Sequence, residues 1–404
     1  MQNLIDLAKR VTPNRTVFEA NRAAAAALVV EARAWANPEL ELSAGRARYR
    51  EGDNPAVSIA GVSLKQRFEL PGKRSARIDA AEAGRLLAER TAAVDGLALE
   101  GEVRQAVVGI AAAELRREQA DKAHELAVMV QGIVAQRLAA GETDRGDLTR
   151  TNADLAISRL EVDAARREAE AARAVVRLWC GGEREGQLPQ RFTVPDAVAD
   201  AVPEIPLAAM QQAALSAHPR LAVLDAQAAA VAGALNREER AWYPDLTVGV
   251  FGDRGSDTND LGVTLGVEVP VWNRNQGGIA QARAEIARLA AERRNEQATV
   301  QRNVLAAWSR YDGERQQIIG LASEVVPATE ESLRIKLLAY SSGDVGLFDI
   351  LEARRAAFAA QQALLSARVR AATARIELAA AVGSFADPTQ IAPASSINAS
   401  GNAP

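Results

Sequence analysis

Cysteine and histidine are scarce in this sequence. Cys180 is the single cysteine among 404 residues, which excludes an intrachain disulfide and a thiolate metal cluster. Its neighbours Leu178 and Trp179 indicate a small buried hydrophobic residue. His124 and His218 lie far apart, and each lacks a neighbouring ligand. Because a tight zinc or copper site needs three or four ligands, we expect packed or solvated histidines, no metal site and no cofactor.

Other functional classes are excluded by what the composition lacks. The formal charge of −4 provides no basic field for nucleic acid. No run of about 18 apolar residues occurs, so a transmembrane helix is excluded. Residues 1–14 also lack the apolar core of a secretory signal. No Ser/His/Asp or Cys/His arrangement can be assembled, and we expect no enzyme.

Alanine is the abundant apolar residue. Hydrophobic residues make up 48% and charged residues 25%, a balance that fits neither a disordered chain nor a polytopic helical membrane protein. Aromatic residues contribute only 4%. Alanine-rich helices with high helix propensity suit close, repetitive packing along a long seam.

The sequence contains an internal duplication. Two segments recur in the second half of the chain, 31–45 as 238–252 and 62–83 as 263–286. Gly141 corresponds to Gly343 and Asp147 to Asp349, both at a spacing of 202 residues. A constant spacing through two separate motifs indicates a repeat rather than chance.

Both halves predict the same order of elements: a helix, two strands, a very long helix, a Gly/Asp turn and a returning helix. In the first half, the helix covers 14–35, the strands 38–48 and 57–70, the long helix 72–140 and the returning helix 147–180. In the second half, the same elements cover 207–241, 245–252 and 260–271, 276–341 and 347–382. At about 1.5 Å per residue, the long helices would each reach about 100 Å. Pro327 predicts a local kink in the second one. The fold class is therefore mainly α with a small β part.

The predicted organisation is a first repeat over 1–187, a Pro-rich linker over 188–206, a second repeat over 207–384 and a disordered tail over 385–404. We expect the two repeats to form one elongated unit, because neither half has the composition of a compact globular domain.

The strands have the length and alternation of membrane-crossing segments. One predicted face carries the apolar side chains Leu246, Val248, Val250, Leu261, Val263, Leu265, Val267 and Val269. Strands of about 9–11 residues cross a bilayer when tilted, and a sheet can span lipid only as a closed barrel. One chain supplies four strands, fewer than the smallest barrels need. Three copies give twelve strands, whereas two give eight around an interior filled by side chains.

Two other readings remain open at this point. Soluble hairpins could cap a helical bundle, as in a soluble or peripheral long-helix coiled-coil scaffold or adaptor protein. That reading accounts for the helices, the alanine and the missing signal, but not for four membrane-length strands placed symmetrically in two repeats. An enzyme is the more distant alternative.

Three motifs resemble the TolC-like outer-membrane factors, from about Asn14 to Gly383. They are the duplicated W-x-x-P or W-x-P at the strand starts (Trp35 to Pro38 and Trp242 to Pro244), and the helix-turn signatures RLAAGETDRGDL and YSSGDVGLFDIL. The stretch FELPGKR (68–74) is most similar to the heavy-metal branch, the outer component of cobalt–zinc–cadmium or nickel resistance pumps.

The resemblance implies a trimeric 12-stranded β-barrel in the bacterial outer membrane, standing on a long α-helical barrel in the periplasm. It implies a homotrimer that docks a periplasmic adaptor (membrane fusion) protein and serves an inner-membrane, proton-driven RND pump. The implied function is a passive exit duct, with heavy-metal cations as the expected cargo and outer membrane lipid as the surroundings of the strands.

By the same resemblance, the Gly/Asp turns are periplasmic tips, where the tunnel narrows and the adaptor docks. The turn residues are Gly141, Asp144 and Gly146, and Gly343, Asp344 and Gly346. Glycine ends helices readily because it adopts positive φ, which we expect at Gly141 and Gly343.

Four side chains near these turns are candidates for a pore constriction. Asp147 and Asp349 fall where a helix begins, so N-capping is one role for them. Asp349 and Glu352 also share a helix face, and threefold symmetry would stack them into two carboxylate rings that select cations and raise some pKa values by repulsion. Tyr340 matches a tyrosine that the family places beside the constriction. Asp147 would add a ring, although Arg150 is placed to neutralise it.

The junctions between strands and helices carry prolines and aromatic residues. The predicted junction residues are Pro38, Pro71, Pro244 and Pro270. Trp35, Trp242 and Trp272 lie next to strand ends, where a membrane interface favours amphipathic rings.

Overall fold

The computed structural model describes residues 2–47, 57–70, 72–179, 206–255 and 258–385. The predictions for Pro71, Cys180, the linker before Pro206 and the tail beyond Phe385 lie outside the described residues.

The two halves have the same order of elements. The first half contains α1 (Gln2–Val11), α2 (Pro13–Arg33), β1 (Glu39–Ala47), β2 (Val57–Phe68), α3 (Lys73–Ala139) and α4 (Arg145–Trp179). The second half contains α5 (Leu207–Ala217), α6 (Pro219–Arg240), β3 (Leu246–Arg254), β4 (Asn259–Val267), α7 (Gln276–Gly320), α8 (Val326–Ser342) and α9 (Leu347–Val382). The predicted mainly helical fold with four strands is confirmed. No helix in these ranges is both long and apolar enough to cross a membrane.

Proline interrupts the first helix of each half. The single helix predicted over 207–241 is wrong at His218, which adopts extended dihedrals (φ −64°, ψ 126°) between α5 and α6. The following Pro219 explains this, because a proline ring disfavours helical geometry in the residue before it. The first half has the same break at Thr12 before Pro13, with the unpredicted helix α1 in front of it.

The second long helix is also interrupted. A π-helical turn, Leu321–Val325, separates α7 from α8, and the main-chain N–H of Val326 donates to the carbonyl of Leu321. Pro327 lies two residues after the end of this turn and has no N–H of its own, so regular α-helical bonding cannot continue through it. The irregularity predicted at Pro327 therefore takes the form of a wide turn.

Two compact units make up the fold, and each draws on both halves of the sequence. The sheet unit comprises Val17–Ala93 and Pro219–Glu296 and contains all four strands. The tip unit comprises Met1–Thr16, Val94–His218 and Gln297–Pro404 and contains both Gly/Asp turns.

The sheet is antiparallel throughout, with the strand order β1-β2-β3-β4. The central pair, β2 with β3, joins the two halves of the sequence, and Leu64 lies opposite Val250. In the second hairpin, Val248 lies opposite Leu265 and Leu246 opposite Val267. The predicted apolar face is thus confirmed within the strands, because residues opposite each other share a face. Val269 lies outside it, because β4 ends at Val267 and not at the predicted residue 271.

The tip unit is organised around α9. Thirteen of its side chains are buried, against four in α4. One core cluster combines Met210 of α5, Val304 and Tyr311 of α7, and Leu378 of α9. Because so much of its surface is buried, α9 is a central helix of this unit.

Candidate functional site

One face of the sheet is apolar and uncovered. Leu261 is 90% exposed and Leu42 74% exposed at the edge strands. On the central strands, Leu64 and Val250 are still about half exposed, at 46% and 50%. A contiguous apolar surface of this kind is rare on soluble monomers, so this face requires an apolar environment or a partner.

The two edges of the sheet are open. Among the described strands, β1 pairs only with β2, and β4 pairs only with β3. Each edge therefore presents a row of unpaired N–H and C=O groups, which is a template for pairing with another chain.

The opposite face of the sheet is polar and lined with small residues. The Lys65 ammonium donates to a carboxylate oxygen of Glu41 on the neighbouring strand, with an Nζ to Oε2 distance of 2.6 Å. The Phe251 ring lies over Gly262, and a Cβ added to Gly262 would come within 2.5 Å of that ring. This glycine leaves room for the only described aromatic side chain on the polar face.

In the first half, two arginines of α3 hold the end of α2 beside the sheet. Arg74 donates to the carbonyl of Arg33, at 2.6 Å. Arg77 donates to the carbonyls of Ala32 and Ala34, at 3.1 and 3.0 Å. The Arg74 guanidinium also lies 5.0 Å from the centre of the Trp35 ring. These bonds satisfy carbonyls that a helix end leaves without partners.

In the second half, an asparagine takes this role. Asn275 has a positive φ of 61° and donates to the carbonyl of Glu238, at 3.0 Å. Its amide also donates to the Glu238 carboxylate, and this hydrogen bond is the main cause that lowers the pKa of Glu238. Trp272, at the same junction, is 91% exposed. The predicted junction prolines Pro38, Pro244 and Pro270 lie between the strands and the helices.

The two Gly/Asp turns have matching backbone geometry. Gly141 and Gly343 have positive φ, at 78° and 85°, as expected. The N–H of Glu142 donates to the carbonyl of Arg137 at 2.9 Å. In the second turn, the N–H of Asp344 donates to the carbonyl of Ala339, also at 2.9 Å. Such a bond, which closes the last turn of a helix, defines a Schellman motif.

The carboxylates of the first turn differ from the prediction. Asp144, not Asp147, caps α4, because its Oδ1 accepts from the N–H of Asp147 at 2.9 Å. Asp147 instead accepts a hydrogen bond from the Thr143 hydroxyl, at 2.7 Å. Gly146 lies between them, close to the Asp144 side chain.

In the second turn, Asp349 has two partners. It accepts from Lys336, at 2.9 Å, and from the N–H of Gly346, at 3.3 Å. The hydrogen bond from Lys336 is the largest cause that lowers the pKa of Asp349, so within one chain the shift is opposite to the rise expected from crowded carboxylates. Glu352 is exposed one turn along the helix, and Asp344 accepts from the Ser342 hydroxyl at 3.0 Å.

Tyr340 and Arg137 connect the two tips. Arg137 of α3 lies 4.5 Å from the centre of the Tyr340 ring and donates to the Tyr340 carbonyl at 2.9 Å. Tyr340 is 3% exposed, and burial raises its pKa, while the charge of Arg137 acts in the opposite direction. Asp147 is near enough to contribute to the rise. The structure thus places Tyr340 against Arg137, which sequence reasoning missed although it opens the quoted RLAAG motif.

A second connection joins the returning helices. Arg354 of α9 forms an ion pair with Asp154 of α4, and the two side chains are only 12% and 13% exposed. A residue pair 200 positions apart in sequence leaves no local signal, so this contact could not be found without the fold.

The two histidines have separate surroundings. His124 shares a hydrogen bond with the Ser158 hydroxyl at 2.9 Å, and His218 is buried. No group of three or more His, Cys, Asp or Glu side chains suited to a metal ion is present among the residues that the structure describes.

A family profile described as "Outer membrane efflux protein" matches residues 4–182 and 210–384. Among characterised proteins, the chain is 27% identical to the cobalt-zinc-cadmium resistance protein CzcC of Cupriavidus metallidurans, over 82% of this chain and 78% of that protein. It is also 27% identical to the nickel and cobalt resistance protein CnrC of the same organism, over 72% of this chain and 70% of that protein.

Two solved structures have a similar fold. CusC matches with a TM-score of 0.79 at 18% identity, over 95% of this chain and 92% of that chain. The outer membrane protein VceC of Vibrio cholerae matches with a TM-score of 0.75 at 17% identity, over 95% of this chain and 96% of that chain.

Proposed function

The chain belongs to the outer membrane efflux protein family, and on that premise we propose that three copies assemble into one passive exit duct. The strands of the trimer form a 12-stranded barrel in the outer membrane, and the helices form a tunnel in the periplasm. The repeats 1–187 and 207–384, joined by 188–206, each contribute one hairpin and one helical pair to this ring.

The observation that carries the proposal is the sheet. Its apolar face is uncovered, and both of its edges are open. In lipid, every main-chain polar group needs a partner, so an open four-stranded sheet has to pair with further strands. Copies of the same chain supply those strands in equal number.

The test is the size and conductance of the protein extracted from membranes in detergent. We expect a complex with three times the chain mass that forms ion-conducting pores in planar bilayers. A water-soluble monomer without conductance would contradict the duct and favour a long-helix scaffold.

We further propose that the tips dock a periplasmic adaptor that connects the duct to an inner-membrane RND pump. The docking residues are those of the two turns: Gly141, Asp144, Gly146, Gly343, Asp344 and Gly346. Their support is the matching backbone of both turns, which would present six equivalent tips in a trimer. Replacement of Gly141 and Gly343 by Val should strain both positive-φ positions and abolish cross-linking to the adaptor.

The proposed cargo is heavy-metal cations. CzcC and CnrC are named for cobalt, zinc, cadmium and nickel resistance, and FELPGKR (68–74) resembles that branch. Expression in a strain that lacks the exit duct of a metal pump should restore growth in cobalt or zinc. Restored resistance to organic toxins but not to metals would overturn this cargo.

The tip is also the proposed constriction. Three copies of Asp349 and Glu352 would surround the axis and favour cations, with Tyr340 and Asp147 behind them. Asp349→Ala combined with Glu352→Ala should raise single-channel conductance and weaken cation preference. The matched control is Glu161→Ala with Glu170→Ala, which removes equal charge from exposed positions of α4 away from the tip. Equal conductance in both double variants would show that the constriction lies elsewhere.

A further inference from the structure

One strand pair within a single chain already joins the two halves of the sequence. In the central pair of β2 with β3, Gln66 lies opposite Val248. In a ring of copies, β4 of one copy meets β1 of the next, and this contact likewise joins a second half to a first half. This inference rests on the proposed trimer. Because the halves are duplicates, the contact inside the chain is a template for the contact between chains.

The template can be transferred residue by residue. Within the strands, VSL (62–64) of β2 corresponds to VTL (263–265) of β4. Gln66 is the second residue after VSL, and Val267 is the second residue after VTL, so Val267 is the counterpart of Gln66. The last residue of β4 is therefore the one to place against the next copy.

The other partner follows from the strand starts. Val248 of β3 is the fourth residue after Pro244, and Leu42 of β1 is the fourth residue after Pro38. Leu42 is thus the counterpart of Val248. We propose that Val267 of one copy lies opposite Leu42 of the next copy, in an antiparallel pair of β4 with β1.

The pleat of the sheet provides an independent check. A slip of one residue would turn every side chain of one strand to the other face. Val267 and Leu42 both lie on the uncovered apolar face, where they are 50% and 74% exposed. The transferred register therefore continues the apolar face across the boundary between copies.

The exposure of the edge strands agrees with a missing neighbour. On the apolar face, Leu42 and Leu265 of the edge strands are 74% and 71% exposed. Leu64 and Val250 of the central strands are 46% and 50% exposed. At these positions, the central side chains are less exposed because a strand lies on each side of them. The β4 to β1 contact would give the edge side chains the same second neighbour.

The register also sets the tilt of the strands. A path that starts at Leu40 and moves to the directly opposite residue on each following strand crosses all four strands of one chain. With the proposed register between copies, its next step reaches Arg46 of β1 in the next copy. Three such steps give twelve strands a tilt of about 48°, slightly above the 35–45° that is typical of natural barrels. A slip that placed Val267 opposite Ala44 would need about 56°, which the tilt disfavours. The opposite slip, to Leu40, gives about 37°, so the VSL and VTL match and not the tilt decides between this register and the proposed one.

Cysteine cross-linking tests this register. In a Cys180→Ser background, Leu42→Cys is combined with Val267→Cys, and membranes are oxidised before denaturing, non-reducing electrophoresis. Directly opposite residues of an antiparallel pair have Cα atoms about 4.5–5.5 Å apart, within the range of about 4.4–6.8 Å that disulfides span. We expect the chain to shift from the monomer band to a covalent band of threefold mass, and reductant to reverse the shift.

Three further pairs make the outcome specific. Leu42→Cys with Leu265→Cys and Ala44→Cys with Val267→Cys report the two slipped registers, and Glu41→Cys with Val267→Cys reports the opposite face. A stronger covalent trimer in any of these overturns the register and leaves the proposed duct standing. If no pair cross-links and the detergent complex also lacks threefold mass, the trimer itself is wrong. If the complex has threefold mass and no pair cross-links, the β4 to β1 contact is wrong.

Discussion

The two returning helices, α4 and α9, occupy corresponding places in the duplicated sequence but differ in burial. Four side chains of α4 are buried, against thirteen of α9. On α4, Ile157 and Leu160 remain 55% and 66% exposed. Duplication therefore copied the element without copying its surroundings. A central helix has to fit its neighbours on several sides, whereas a peripheral helix keeps a face free for contacts outside its own chain.

Loss of the link between the two helices should have the largest effect. Arg354→Ala leaves the buried Asp154 carboxylate unpaired, and we expect about 3–5 kcal/mol of lost stability in thermal or denaturant unfolding of the detergent complex. The control is Arg116→Ala, which breaks an exposed pair with Glu168 and should cost at most about 1 kcal/mol. Equal losses would mean that burial does not distinguish the two pairs.

Truncation of matched isoleucines tests the difference in packing. Ile350 of α9 is fully buried and Ile157 of α4 is 55% exposed. Ile350→Ala should cost about 2–5 kcal/mol through lost burial and a residual cavity. Ile157→Ala should change the stability of the dissociated chain by no more than about 0.5 kcal/mol. Unfolding of both variants after dissociation measures this, and a large loss for Ile157→Ala would show that α4 is packed on both sides.

The tip carboxylates should differ in their response to acid. The lowered pKa of Asp349 means that its contact with Lys336 is present above the ordinary carboxylate range and is lost only as the pH falls through the lowered value. Conductance recorded against pH should therefore change at a higher pH in Lys336→Met than in the unmodified protein. Glu161→Gln, which removes an exposed carboxylate of α4 away from the tip, should leave the transition where it was. An unchanged transition in Lys336→Met would exclude the Lys336 contact as its cause.

The smallest effect is expected at Tyr340. Its hydroxyl is buried and makes no well-formed hydrogen bond among the described residues, with only a weak interaction from the Arg137 side chain. Tyr340→Phe should thus be neutral or slightly stabilising, within about 0.5 kcal/mol, because it removes a buried polar atom. Unfolding of the assembled complex is the measurement. A loss above about 1 kcal/mol would show that the hydroxyl is bonded in the assembly.

Periodicity and turn chemistry predicted most of the fold. The alternation of apolar residues located the strands and their faces, and Gly141 and Gly343 marked the helix turns. The breaks before Pro13 and Pro219 were missed, although proline restricts the residue before it and both prolines were visible in the sequence.

The details of the tip could not be predicted in the same way. Arg137 and Tyr340 are 203 residues apart, and Lys336 and Asp349 are 13 apart across a turn. Both contacts depend on how a helix end is closed and how two hairpins pack, and neither follows from a local pattern. The sequence located the carboxylates at the two Gly/Asp turns but not the cations that pair with them.

The π-helical turn at Leu321–Val325 sets the rotation of everything that follows it on the same helix. Each residue of an α-helix advances the chain by about 100° around the axis and about 1.5 Å along it. Deletion of one residue from this turn would convert it to ordinary helix and swing Tyr340 by about 100°, away from Arg137. The number of residues in this one segment therefore determines which way the second tip faces, and a change in length there would misdirect the tip without altering any residue in it.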